Sequence, residues 1–254
     1  MISMDLNCDL GESFGAYKIG MDEQVIPYIT SANVACGFHA GDPAVMAKTV
    51  AMCKKYGVHV GAHPGYPDLQ GFGRREMSVS PADAKYDVMY QVGALKAFCD
   101  SEGVLLTHVK PHGALYNQAG KNYDLALAIC QGIQAIDPGL KILALSGSCM
   151  VQAARDISLH YISEVFADRG YRADGSLVPR SQPGAMIEDE EEAIARVVRM
   201  AVEGKVTAVT GEEIGIQADS VCVHGDGPKA LAFVRKIHQV LEEKKLLIHS
   251  DLAY

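Results

Sequence analysis

The sequence predicts an α/β fold in which a parallel sheet is covered by helices. Three observations lead there. Short β-rich runs alternate with longer helical patterns along the whole chain. The length, 254 residues, fits two small domains or one α/β barrel, which typically has roughly 250 residues. Ionisable residues also recur at the carboxyl ends of the runs, the edge at which parallel α/β folds bind their ligands. No linker, repeat or low-complexity tract divides the chain, so one domain over residues 1–254 is expected.

The first expected strand, Met4–Leu10, places Asp5, Asn7 and Asp9 at alternating positions and so on one face. Further strands are expected at Ala32–Cys36, Val58–Ala62, Leu105–Lys110, Lys141–Leu145, Ser163–Phe166 and Ser220–His224. Helical periodicity fills the intervals at Pro43–Tyr56, Pro81–Glu102, Tyr123–Ile136, Cys149–Ile157, Glu188–Glu203 and Pro228–Glu243. Pro43, Pro81 and Pro228 stand where a first helical turn tolerates proline, and Asp42 and Ser80 are expected N-caps. The acidic run Glu188–Glu192 suits the positive end of a helix dipole. Met89 and Leu95 read as core. Residues 167–187 break the rhythm, being rich in Gly and Pro and long for a connection; ordered loops of that length are usually functional.

Composition excludes several classes. A formal charge of −8 with no compensating Lys/Arg cluster argues against nucleic-acid and anionic-membrane surfaces. No stretch reaches the ~18 apolar residues of a membrane span, and the N-terminus meets Asp5 and Asp9 without an apolar signal region. The seven cysteines are scattered and contain no C-x-x-C pair, which suits reduced thiols and a cytoplasmic location.

The polar residues share a position. Asp9 closes the first strand, His39 and His63 follow the second and third, and Lys110 and His112 end the fourth. Glu164 and Asp168 flank the end of the sixth, and His224 and Asp226 follow the last. Such convergence of ionisable groups on one edge is the signature of a site.

The same segments carry a resemblance. DLNCDLGE (Asp5–Glu12), SANVACGFHAGDP (Ser31–Pro43), GAHPGYPDLQGFGRR (Gly61–Arg75), HVKPHGALYN (His108–Asn117), EVFADRGYRADGSLVPRSQPGA (Glu164–Ala185) and VCVHGDGP (Val221–Pro228) resemble the blocks of the LamB/YcsF family, in its order and over nearly the whole chain. The resemblance implies a TIM-like (β/α) barrel, incomplete or irregular, seven-stranded and similar to carbohydrate deacetylases. It further implies one component of an ATP-dependent hydrolase that opens the lactam of 5-oxoproline (pyroglutamate) to L-glutamate together with partner subunits B and C. Two other readings stay open, a metal-dependent deacetylase or amidohydrolase and a non-catalytic substrate-binding component. Homo-oligomer formation is compatible with all three.

Opening a lactam requires an activated carbonyl, a base for water and an acid for the departing nitrogen. ATP supplies the activation, yet the chain has no G-x-x-x-x-G-K-[ST] phosphate loop, so the nucleotide is expected to be handled mainly by the partners. Asp9 is expected as a general base or metal ligand, with Asn7 orienting substrate; the alternative is a hydrogen-bonded carboxylate of the barrel interior. Lys110 and His112 are expected as general acids or electrophilic groups, Lys110 pairing with a carboxylate such as Asp9 or Asp5 and also touching substrate. His63 is expected as a catalytic group and His39 at the substrate, and with Asp9 they form a candidate divalent-metal set like that of the deacetylases; hydrogen bonds to loop backbone are the alternative. His59 is left out, because four strand residues put it about 13 Å from His63. Asp168 and Arg180 belong to the long loop and are expected at the substrate, where Arg180 suits a carboxylate or phosphate; Arg74 and Arg75 are its rivals and could equally serve a subunit interface. The His224–Pro228 turn leads into a helix and is read equally as an anion site or a tight turn.

Overall fold

The alternation of β1 (Asp5–Leu10) sets the architecture. Leu6, Cys8 and Leu10 are at most 1% exposed and join the apolar layer under the helices, while Asp5, Asn7 and Asp9 turn to the other face. The computed structural model describes residues 3–179, 181–223 and 228–247, the last stretch with side chains from Leu231 onward. In it β1 pairs in parallel with β2 (Ser31–Ala35), and β3 (His59–His63), β4 (Leu106–Val109), β5 (Lys141–Leu145) and β6 (His160–Phe166) continue the parallel order. After β6 the chain makes a separate antiparallel hairpin of β7 (Lys205–Thr207) and β8 (Glu213–Gly215). It then returns as β9 (Ser220–Val223), which pairs with both β6 and β1 and closes the barrel. Seven strands therefore do what eight do in a full (β/α)8 barrel.

Short α1 (Asp22–Val25) precedes β2, and α2 (Pro43–Tyr56) and α3 (Pro81–Glu102) follow β2 and β3. Asp42 and Ser80 cap them, accepting from Val45 N and Asp83 N, with proline in the first turn of each as the sequence predicts. The remaining helices are α4 (Gly113–Ala119), α5 (Tyr123–Ile136), α6 (Cys149–Asp156), α7 (Glu190–Glu203) and α8 (Pro228–Glu243). Leu95, Ile129 and Ile133 are fully buried in the layer between helices and barrel, each stabilising it by about 1.5–3 kcal/mol. Among the described residues no helix is long and apolar enough to cross a membrane. All seven cysteines are free.

The predicted strands and long helices agree with these elements to within a few residues at their ends. The periodicity missed α1 and α4, whose four and seven residues are too few for a visible helical repeat, and the hairpin, whose strands have three residues each.

The barrel interior is polar, where (β/α)8 barrels usually stack branched apolar side chains. Its lower layer holds Asp5, which accepts hydrogen bonds from Thr30, Ser31 and Ser220. Above it, Asn7 Nδ2 donates to Ser220 Oγ (2.7 Å), Asn33 Nδ2 donates to Asn7 Oδ1 (2.8 Å), and His108 Nε2 meets Asn33 Oδ1 (2.8 Å). Gly61 makes this possible: a Cβ there would lie 2.1 Å from His108 Nε2. The β3–β4 register shifts between Val60 and Gly61 at the same place.

Candidate active site

A cavity of about 590 Å³ opens beyond the carboxyl ends of the strands, with Asp9, Glu12, His63, Lys110 and His112 among its lining. Four of the expected site residues are thus brought together by β1, β3, β4 and the loops that follow them. Arg169 and residues 174–179 of the long loop line the cavity as well. That loop is ordered by its own bonds: the buried Arg169 donates to Val178 O (2.7 Å) and Ala185 O (3.2 Å), and Tyr171 Oη accepts from Phe166 N (2.9 Å).

Lys110 is 3% exposed and holds the centre. Its Nζ lies 2.7 Å from Glu164 Oε1, donates to Asp9 Oδ1 at 3.0 Å and Asn7 Oδ1 at 3.2 Å, and meets Cys222 Sγ at 3.2 Å. Burial pushes the ammonium pKa down, but Asp9, Cys222 and Glu164 push it up further, so Lys110 stays charged. Burial drives the Cys222 thiol well above its usual range despite the neighbouring Lys110, so it sits there neutral. Tyr116 donates to Glu164 Oε2 at 2.6 Å, its own pKa raised by burial and then by Glu164. One cation thus serves two carboxylates, and both oxygens of Glu164 are occupied.

The imidazoles form a second group around Glu12. His63 Nδ1 faces the Lys110 carbonyl at 2.7 Å, and His112 Nε2 faces the Phe72 carbonyl at 2.8 Å. A carbonyl can only accept, so each of these ring nitrogens carries the proton. In the neutral rings this leaves lone pairs on His63 Nε2 and His112 Nδ1, which are 2.9 Å apart. Burial, with His63 adding to it, pushes His112 down to about 3, so its neutral form prevails at pH 7. Asp9 Oδ2 is 3.3 Å from His63 Nε2, and Glu12 Oε1 is 3.6 Å from His112 Nδ1 and 3.5 Å from His39 Nε2. Two facing lone pairs beside two carboxylates require a cation between them, either a shared proton or a metal ion.

The donors fit a divalent ion. Ligand atoms of Glu12, His39, His63 and His112 all lie within 4.8 Å of one another. His39 is fully buried, both its ring nitrogens lack a hydrogen-bond partner, and burial, then His112 and His63, holds it well below the usual histidine range. Its ring stacks on His112 at 3.7 Å and 3°, so the two cannot both point an in-plane lone pair at the same ion; Glu12, His63 and one of the stacked rings form the compatible set. Gly73, with φ +62°, lets the chain pass this stack, since a Cβ there would meet His39 Cβ at 2.7 Å and His112 Cδ2 at 2.8 Å.

Four expectations change. The metal-capable set contains Glu12 and His112 in place of Asp9, whose Oδ1 is turned to Lys110 and Asn33. Asn7, expected to orient substrate, is fully buried below the cavity with its amide spent on Ser220, Asn33 and Lys110, so it acts on Lys110 instead. Asp168 is not among the described residues lining the cavity: strand alternation stops at Phe166, and the turn at Ala167–Asp168 brings Arg169 there. His39 lies behind His112 and also does not line the cavity. Of the rival arginines, Arg74 lines the cavity and Arg75 is held by Asp68. Arg180, His224 and Asp226 lie outside the described residues. Glu12 and Glu164 received no role from the sequence; the signal for Glu164 was its alternation with Phe166 on the inward face.

Fold and site together define a parallel (β/α) barrel protein with an acid–base cluster at the carboxyl ends of its strands. The chain belongs to the LamB/YcsF family, whose model matches residues 4–252. It is 61% identical over 248 residues to the A subunit of 5-oxoprolinase from Clostridium beijerinckii, covering 98% of this chain and 97% of that one. It is 55% identical over 243 residues to the A subunit of 5-oxoprolinase from Pyrococcus furiosus, covering 96% and 95%. The crystal structure of the lactam utilization protein from Thermus thermophilus superposes with a TM-score of 0.93 at 46% identity, covering 98% of this chain and 99% of that one.

Proposed function

We propose that this chain is the A subunit of an ATP-dependent 5-oxoprolinase, a cytoplasmic complex in which it works with subunits B and C to open 5-oxoproline to L-glutamate. The observation that carries the reading is the lone-pair contact of His63 and His112 between Asp9 and Glu12 on a cavity wall. The names borne by the relatives supply the substrate. ATP phosphorylates the lactam oxygen, one water adds at the carbonyl carbon, and the C–N bond breaks as nitrogen gains a proton, leaving an acyl phosphate whose phosphate a second water releases to give L-glutamate. His63 Nε2 takes the proton of the attacking water, with Asp9 stabilising the imidazolium. His112 Nδ1, 2.9 Å away, relays that proton toward the departing nitrogen. The Lys110 ammonium, fixed by Glu164 and Asp9, supplies a constant positive field to the negative charge that develops on substrate oxygens.

Glu12, His63 and His112 or His39 would hold a divalent ion if one is resident, and it would supply Lewis-acid polarisation of the carbonyl. Arg74 is the side chain on the cavity wall best suited to the substrate carboxylate.

The test is reconstitution. Glutamate release should require ATP and all three subunits, and the isolated chain should hydrolyse 5-oxoproline negligibly. Turnover by the isolated chain without ATP would replace this reading with a metal-dependent amidohydrolase. Undiminished turnover of a complex carrying Asp9→Asn and His63→Ala would make the chain a binding component.

A further inference from the structure

A separate stretch of the cavity wall is built by the turn from β5 into α6, where Leu145, Ser146, Gly147 and Ser148 all line the cavity. Ser148 is the N-cap of α6, with φ −74° and ψ 167°, the backbone from which a serine ordinarily accepts from the second or third helical amide. It makes no such bond: Ser148 is 8% exposed and its Oγ is buried without a hydrogen-bond partner. Cys149 N donates to Gly120 O (3.0 Å) and Gln152 N to Ser148 O (3.2 Å). Between them, the amides of Met150 and Val151 find no acceptor among the described residues. A buried hydroxyl and two open helix amides at one helix start are an unmet demand for an acceptor. The helix dipole makes that acceptor an anion. Lys121 and Arg74 stand on the wall of the same cavity.

We propose that Ser148 Oγ, the Met150 and Val151 amides and Lys121 form a phosphoryl-binding subsite. Several donors from different directions suit the oxygens of a tetrahedral group better than one planar carboxylate. The cavity, at about 590 Å³, also leaves a five-membered lactam much room to spare. These donors are one serine, one lysine and plain backbone, which leave no phosphate-loop motif in the sequence. The assignment deepens the lactam-opening reading and rests on it for the identity of the phosphoryl group, a nucleotide's or the phosphorylated lactam's.

Isolated ¹⁵N-labelled protein is titrated with inorganic phosphate, with ATP and with 5-oxoproline while the amides of residues 148–151 are followed. Phosphate and ATP should shift them and 5-oxoproline alone should not. Ser148→Ala should weaken ATP binding on the order of tenfold, the worth of one hydrogen bond to a charged group. Lys121→Gln, an exposed change, should weaken it severalfold with an unaltered melting curve. Shifts caused by 5-oxoproline alone would make the occupant a carboxylate and overturn the proposal, as would silence toward phosphate and ATP or unchanged affinity in both variants. Binding here without glutamate formation by the three subunits would sink the lactam reading and leave the subsite standing. Glutamate formation without contact at these amides would do the reverse.

Discussion

Lys110 Nζ, just past the end of β4, lies 2.7 Å from Glu164 Oε1 of β6, a cation and an anion that are 3% and 0% exposed at their side chains. Burial makes each costly without a counter-charge. Lys110→Met leaves Asp9 and Glu164 without their shared counter-charge, and breaking one partner of such a buried pair costs about 3–5 kcal/mol. Urea denaturation should show that loss, and the double variant Lys110→Met/Glu164→Gln should recover part of it. A Lys110→Met protein as stable as the parent would show that the pair does not carry this part of the barrel.

His108 predicts an acid limit. Burial first, then the nearby cationic groups, pushes it down to about 3, whereas an unfolded histidine titrates near 6.5. Between those values the unfolded chain binds the extra proton, so stability rises with pH and is lost as pH falls from ~6.5 toward 3. One such group contributes about 1.4 kcal/mol per pH unit over the window. His108→Gln retains a donor for Asn33 and removes the titration. Its stability measured at pH 7 and pH 5 should vary less than the parent's by about one proton's worth, and an identical slope would refute the assignment.

Gly61 tests the close approach inside the barrel. Gly61→Ala puts a methyl into the His108 ring, and overpacking of this kind costs about 1–3 kcal/mol. The double variant Gly61→Ala/His108→Ala should be less destabilised than the two single losses added together. Strict additivity in a double-mutant cycle would show that the two sites do not meet.

The imidazole cluster should bind one divalent ion. Calorimetry with Zn²⁺ or Co²⁺ is expected to give a single site weakened at least tenfold by His63→Ala or Glu12→Gln, the scale of losing a ligand or its support. Chelation should leave the melting curve cooperative, because the apolar layer between helices and barrel does not involve these residues. If metals bind no more tightly to the parent than to His63→Ala, the cation between His63 and His112 is a proton.

Much of this molecule was legible in one dimension. Alternation in β1 assigned Asp5, Asn7 and Asp9 to one face, proline and capping residues marked the starts of α2 and α3, and the edge bearing Asp9, His63, Lys110 and His112 followed from parallel connectivity. Those are local consequences of backbone period and hydrogen bonding, which adjacent residues impose on one another. The level of each residue within the barrel was not legible. Asp5 and Asp9 share a face yet lie about 13 Å apart along the strand, and only closure of the barrel, with its stagger between strands, decides which meets Lys110. That stagger gave Lys110 to Asp9 and Glu164, left Asp5 to Ser31 and Ser220, and exchanged Asp9 for Glu12 among the imidazoles. Partners separated by a hundred residues or more, such as Lys110 with Asp9 or Cys222, are chosen by packing in three dimensions. Sequence supplied the charges and their faces; tertiary structure alone set their distances, and in a buried polar interior those distances determine which groups stay charged.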